Sequence, residues 1–143
     1  MKNISFLTCV VLFTSGSYAQ SKFLATVEGT QQLSYRVVDM FREKNIAEAI
    51  DELSEYWPMP QNELDAIEGK TLKYLNLIEE RCGKSIGTLL VNTEKIADIA
   101  IRETYLIRYE NTAIRLMFTY YKNDKGWIVN AFEWDDSFTD EFK

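Results

Sequence analysis

From residue 24 to residue 82 the apolar positions return every three or four residues, and from residue 86 to residue 135 they return every two. The first spacing lays them along one side of a helix; the second lays them on one face of a strand. Leu24, Val27, Leu33, Val37, Val38 and Phe41 predict a first helix running to about Glu43, with Gly29 weakening its start. Asn45 followed by Glu48 reads as a capping box. It opens a second helix with the stripe Ile46, Ala49, Ile50, Leu53 and Trp57, and Pro58 and Pro60 end it. A third helix is expected with Asn62 as its cap. Leu64, Ile67, Leu75, Ile78 and Cys82 share one face, and Gly83 follows where a left-handed residue is favoured.

Beyond Gly83 four strands are expected: Ile86 to Val91, Ile99 to Tyr109, Thr112 to Lys122, and Trp127 to Asp135. Glu110-Asn111 joins the middle pair, and Asn123-Asp124-Lys125-Gly126 forms the last turn. Helices first and a meander afterwards predict an α+β domain, with N-terminal helices packed on a four-stranded antiparallel sheet. A two-residue loop at Glu110-Asn111 pairs Ile107 with Ile114, Tyr105 with Leu116, and Glu103 with Phe118. One face then carries Ile101, Tyr105, Ile107, Ile114, Leu116, Phe118 and Tyr120 and meets the helices. The other carries Arg102, Thr104, Arg108, Arg115 and Thr119, together with Leu106, Met117 and Tyr121, and is mostly solvent-facing.

Glu103 breaks the pattern by pointing to the apolar face. A buried carboxylate needs a partner or holds its proton, so Glu103 is a candidate functional group. The last strand allows two phases. A four-residue turn sends Trp127, Val129, Ala131 and Glu133 toward the helices; a three-residue turn with a bulge sends Ile128, Asn130, Phe132 and Trp134 there. The second set is more apolar and is the one expected. In either case one tryptophan falls on the outer face near Tyr121 and Met117. Large side chains among arginines suggest a homodimer through that outer face.

The chain's ends and charge set the compartment and exclude several partners. Lys2, the apolar stretch Ile4 to Phe13, and Ser15-Gly16-Ser17-Tyr18-Ala19 form the pattern of a secretory signal peptide cut after Ala19. Residues 1–19 are therefore read as the signal. Residues 20–143 are read as a single periplasmic or secreted domain, and no later stretch is apolar enough for membrane insertion. The chain's net charge is −6, and removing Lys2 makes it −7. That sign and the lack of a basic cluster argue against nucleic acid. Removing the signal also removes Cys9, so Cys82 has no disulfide partner within the chain. It falls on an apolar stripe and reads as a core thiol.

The helices followed by long strands, with Phe118, Tyr120 and Tyr121 before the turn and the stretch TYYKNDKGWIV across it, resemble small secreted bacterial proteins of the NTF2-like, cystatin-like α+β superfamily. Many members place a strand between the second and third helices, and none is read here. The resemblance implies a cone in which a curved sheet leaves a cavity used for small apolar ligands or for catalysis, and it implies dimerisation through the open sheet face. In this chain Tyr105, Leu116, Phe118, Tyr120 and Phe132 would line that cavity, with Glu103 as its polar anchor.

Without histidine, histidine-based triads and the family's histidine–aspartate pair cannot exist. Zinc and haem ligation also lose their usual donors, and no cofactor is expected. Asp135, Asp136, Asp140 and Glu141 are near enough in sequence to suggest calcium, but they lack the alternate-residue spacing of a dedicated loop and read as a solvated tail. The leading expectation is a non-enzymatic domain that holds a small apolar ligand between helices and sheet. One alternative is an isomerase or hydrolyase using Glu103 with Tyr105, Tyr120 or Tyr35 as hydroxyl donor. Another is an interaction module using the outer sheet face.

Overall fold

The computed structural model describes residues 22–143. The predicted signal peptide lies outside the described residues. Three helices come first: α1 Val27–Arg42, α2 Ile46–Ser54 and α3 Gln61–Cys82. A meander follows, with β1 Ser85–Ile96, β2 Ala100–Tyr109, β3 Ala113–Lys122 and β4 Trp127–Asp135, and a short 3-10 turn, Phe138–Glu141, closes the chain. The four strands form one antiparallel sheet in the order β1-β2-β3-β4. The fold is α+β, as the change of period predicts.

The helix ends differ from the sequence reading for local reasons. Leu24 is not helical. It lies extended beside the start of β4, exchanging backbone hydrogen bonds with Trp127 at 2.9 and 2.8 Å. Thr26 is the N-cap of α1, and its Oγ1 accepts from the Gly29 N–H at 3.1 Å. Asn45 does occupy the N-cap of α2, but its side chain makes no capping bond. The cap of α3 is Pro60 rather than Asn62; its extended backbone leads into the helix, and proline carries no N–H to leave unpaired. Gly83 ends α3 at φ 76° and ψ −157°, a positive-φ conformation open to glycine but extended rather than the left-handed helical one expected.

The central register is the one the sequence predicts: Ile107 faces Ile114, Tyr105 faces Leu116, and Glu103 faces Phe118. The inward set Ile101, Tyr105, Ile107, Ile114, Leu116, Phe118 and Tyr120 is buried throughout. It meets Leu33, Val37, Val38 and Phe41 of α1 in a single core. The outer face is less open than expected, because Thr104 is buried there and Arg115 is nearly so.

β1 is longer than Ile86 to Val91. Its second half, Asn92-Thr93-Glu94-Lys95, is polar on both faces, so it carries no alternating signal. It forms an edge of the sheet, where charged residues discourage further pairing.

β4 resolves the choice of phase by using both. The turn has four residues, and Asn123 Oδ1 accepts from the N–H groups of Lys125 and Gly126. Trp127 and Val129 therefore face inward. A bulge then leaves Asn130 without a partner between the pairs Tyr120–Val129 and Thr119–Ala131. The extra residue shifts the phase, so Phe132 and Trp134 face inward as well. The expected outer tryptophan does not exist: Trp127 is in the core and Trp134 packs against it. That removes the strongest feature behind the proposed dimer face. Gly126 is required in this turn, since its φ is +147° and a Cβ there would lie 2.6 Å from the Leu24 carbonyl oxygen.

Candidate functional site

Glu103 is fully buried. Among the described residues, α1 supplies the hydroxyls that hydrogen-bond to it. Thr30 Oγ1 lies 2.9 Å from Glu103 Oε1 and 2.7 Å from the Val27 carbonyl oxygen. A threonine hydroxyl has one proton to give, and the carbonyl can only accept. Both contacts are hydrogen bonds when Thr30 donates to Val27 and a protonated Glu103 donates to Thr30. Glu103 Oε2 makes no hydrogen bond among the described residues, which is tolerable for a neutral acid and costly for an anion. Burial accordingly pushes the Glu103 carboxyl above the usual range, against the smaller lowering influence of the Ser34 and Thr30 hydroxyls. Ser34 Oγ is 2.7 Å from the Tyr120 hydroxyl, and burial raises the Tyr120 phenol strongly.

The other predicted site residues surround this acid as packed core. Tyr105 and Phe118 meet edge to face at 5.8 Å, Phe118 and Phe132 lie 5.1 Å apart, and Phe41 meets Phe132 edge to face at 5.5 Å. Leu116, Phe118 and Tyr120 have no exposed surface. Tyr35, by contrast, is 59 % exposed and is not brought to Glu103. In this arrangement Glu103 and Tyr120 are sealed away from any substrate. Tyr105 borders a shallow groove against Tyr35 and Leu90, and Phe132 borders an open groove beside α3.

Two further openings flank α3, one larger and one smaller than the groove of about 610 Å³ beside Tyr35. The buried positions of α3, Leu64, Thr71, Ile78 and Cys82, with the half-buried Ile67 and Leu75, trace one narrow line down the helix. The helix therefore touches the domain along a seam and leaves a groove on each side. On one side Tyr74 and Leu77 face Met117, Phe132 and Trp134 across an open groove of about 1030 Å³. Trp134 Nε1 donates to Thr71 Oγ1 at 3.1 Å and ties helix to strand there. On the other side lies a smaller, more enclosed pocket of about 360 Å³. Phe41, Ile46, Leu75, Ile78, Cys82 and Ile114 supply its apolar wall, so α1, α2, α3 and the sheet all contribute.

Sequence reasoning did not find this pocket. Its wall residues read as ordinary core, and only the exposed Leu72, Tyr74 and Leu77 on α3 signalled a helix with more apolar surface than it buries. Cys82 is part of the wall, and burial raises its thiol, which keeps it an unactivated apolar group. A salt bridge between Lys44 and Glu79 spans the pocket's rim from the α1–α2 turn to α3.

The acidic C-terminus is not a free tail. Asp135, Asp140 and Glu141 converge on the Arg115 guanidinium at 2.6, 3.2 and 2.8 Å. Burial alone would raise Asp135, but the Arg115 hydrogen bond and the Ser137 N–H outweigh it and hold it below the ordinary value. Among the described residues no acidic or sulfur cluster is arranged to hold a metal ion, and no helix is long and apolar enough to cross a membrane. No family model, no curated protein and no solved structure matches this chain.

Proposed function

We propose that this domain binds a small apolar ligand in the pocket roofed by α3, between the helices and the sheet. The observation that carries the reading is the partly enclosed space of about 360 Å³ walled on its apolar side by Phe41, Ile46, Ile78 and Ile114, within the usual range for small-molecule sites, which begins near 300 Å³. The ring cluster of Tyr105, Phe118 and Phe132 forms the rigid core beside it, and Phe41 belongs to both. Glu103 keeps a structural place beneath α1. The N-terminal pattern of charge, apolar stretch and small residues favours an exported protein, and the order of elements favours an NTF2-like or cystatin-like relationship.

A neutral apolar fluorophore such as 1-N-phenylnaphthylamine tests the reading. Saturable enhancement at one site per chain is expected. Leu75→Trp, which fills the enclosed pocket, should abolish it, whereas Leu77→Trp, on the opposite side of α3, should leave it in place. Equal binding by both variants would sink the assignment.

A further inference from the structure

We infer that the ligand of this pocket is an amphiphile with an acidic head, of the medium-chain carboxylic acid class; this rests on the binding role proposed above. Two observations at one lip of the pocket carry it. Ser85 Oγ is buried and makes no hydrogen bond among the described residues, and Ser85 lines the pocket where α3 hands over to β1. A native protein seldom leaves a buried hydroxyl unpaired, and such a group is a candidate anchor for a ligand atom.

The second observation is charge. Three cations stand around this pocket, Arg42, Lys44 and Lys84. Arg42 is held by Asp39 and Glu43, and Lys44 is held by Glu79. Lys84, adjacent to Ser85, has no side-chain ion-pair partner among the described residues, while the Glu110 carboxylate accepts from its backbone N–H at 3.0 Å. A carboxylate placed at this lip would accept from both the Ser85 hydroxyl and the Lys84 ammonium, a charge-assisted pair. Behind the lip the wall is apolar: Ile78, Cys82 and Ile114 lead toward Phe41 and Ile46. The space of about 360 Å³ holds roughly a dozen groups the size of a water molecule, at about 30 Å³ each, which suits a chain of that length class and no long lipid.

Sodium decanoate, 1-decanol and decane are the probes, read by calorimetry and by the methyl resonances of Ile46, Ile78 and Ile114. Decanoate should bind roughly tenfold tighter than decanol, a difference of about 1.4 kcal/mol. Lys84→Gln should bring decanoate down to the level of decanol. Ser85→Ala should weaken both and yet raise the melting temperature of the free protein, because it removes an unsatisfied buried hydroxyl; a merely structural serine would not move the two readouts in opposite directions. If all three probes bind alike and both substitutions are silent, the head-group assignment falls and the apolar pocket stands. If no probe moves the three isoleucine methyls, the pocket itself is not a binding site and both readings fall.

Discussion

α1 and α3 lie on the same side of one sheet and are held in opposite ways. α1 buries six of its 16 residues, Thr30, Leu33, Ser34, Val37, Val38 and Phe41, over a face wide enough to reach β1, β2 and β3. α3 buries four of 22, strung along a line one residue wide. Helix stability in a folded domain comes mostly from the apolar face that is packed, so the longer helix is the more weakly held. The difference separates two tasks. The α1 side closes the core and tolerates one buried acid within it. The α3 side leaves room on both flanks, and elements that admit ligands come from the less stable end of a structure.

The largest effect that could break this comparison is a truncation on each side. Phe118→Ala removes a fully buried ring that contacts Tyr105 and Phe132 and should cost about 3–5 kcal/mol. Ile78→Ala, at the wall of the α3 pocket, should cost about 2 kcal/mol or less, at the low end for core truncations, since groove already adjoins the removed atoms. Urea unfolding of both variants checks this. Equal losses would mean that α3 is held as firmly as α1.

Next in size is a dependence on pH that belongs to the α1 side alone. Glu103 holds its proton to higher pH in the folded state than in the unfolded chain. Its stabilising contribution is therefore complete below the unfolded value of about 4.3. It falls as pH rises through the raised folded value, by up to about 1.4 kcal/mol per pH unit. Urea midpoints should decline from about pH 4 upward until that value is passed, and Glu103→Gln, a neutral isostere, should remove the decline. Asp135 is shifted the other way, so its contribution is lost only as pH falls below the usual carboxylate range. Parallel profiles for wild type and Glu103→Gln would show that the buried acid is not protonated. The infrared stretch of a protonated carboxyl, present in the wild type and missing in the variant, provides a direct check.

How much of this was legible in the sequence follows the same division. The inward face of β2 and β3 could be read because strict alternation fixes a register, and Glu103 stood out as the one charged residue on that face. The cavity expected among Tyr105, Leu116, Phe118, Tyr120 and Phe132 came from the resemblance; alternation supplied only its lining, and it shows which side chains point inward and not how their rings pack. In β4 a single bulge at Asn130 changed the phase midway. No run of apolar residues reveals an extra residue in a strand, so each of the two readings described half of it. α3 was the least legible element. Its seam residues and its exposed Leu72 and Leu77 are the same residue types, and only the surrounding structure decides which of them are covered. The acidic C-terminal residues read as solvated because their partner, Arg115, lies two strands' length earlier in the chain.

The smallest expected effect concerns the strap between the two regions. Lys44 sits at φ 65°, a left-handed conformation that disfavours side chains, in the turn that closes α1. The Asn45 N–H donates to the Met40 carbonyl at 2.8 Å and the Lys44 N–H to the Phe41 carbonyl at 3.0 Å, an arrangement in which glycine is the usual residue. Lysine here accepts backbone strain of about 1 kcal/mol and gains a salt bridge to Glu79 on α3. An exposed pair of this kind contributes about 0.2–1 kcal/mol. Lys44→Gly relieves the strain, loses the pair and adds freedom to the unfolded chain, so its global stability should stay within about 0.5 kcal/mol of wild type. Its local effect should be visible all the same: amide exchange in the second half of α3, near Glu79, should quicken while that of α1 holds. Unchanged exchange around Glu79 would mean that the seam, and not the strap, positions α3 over the pocket.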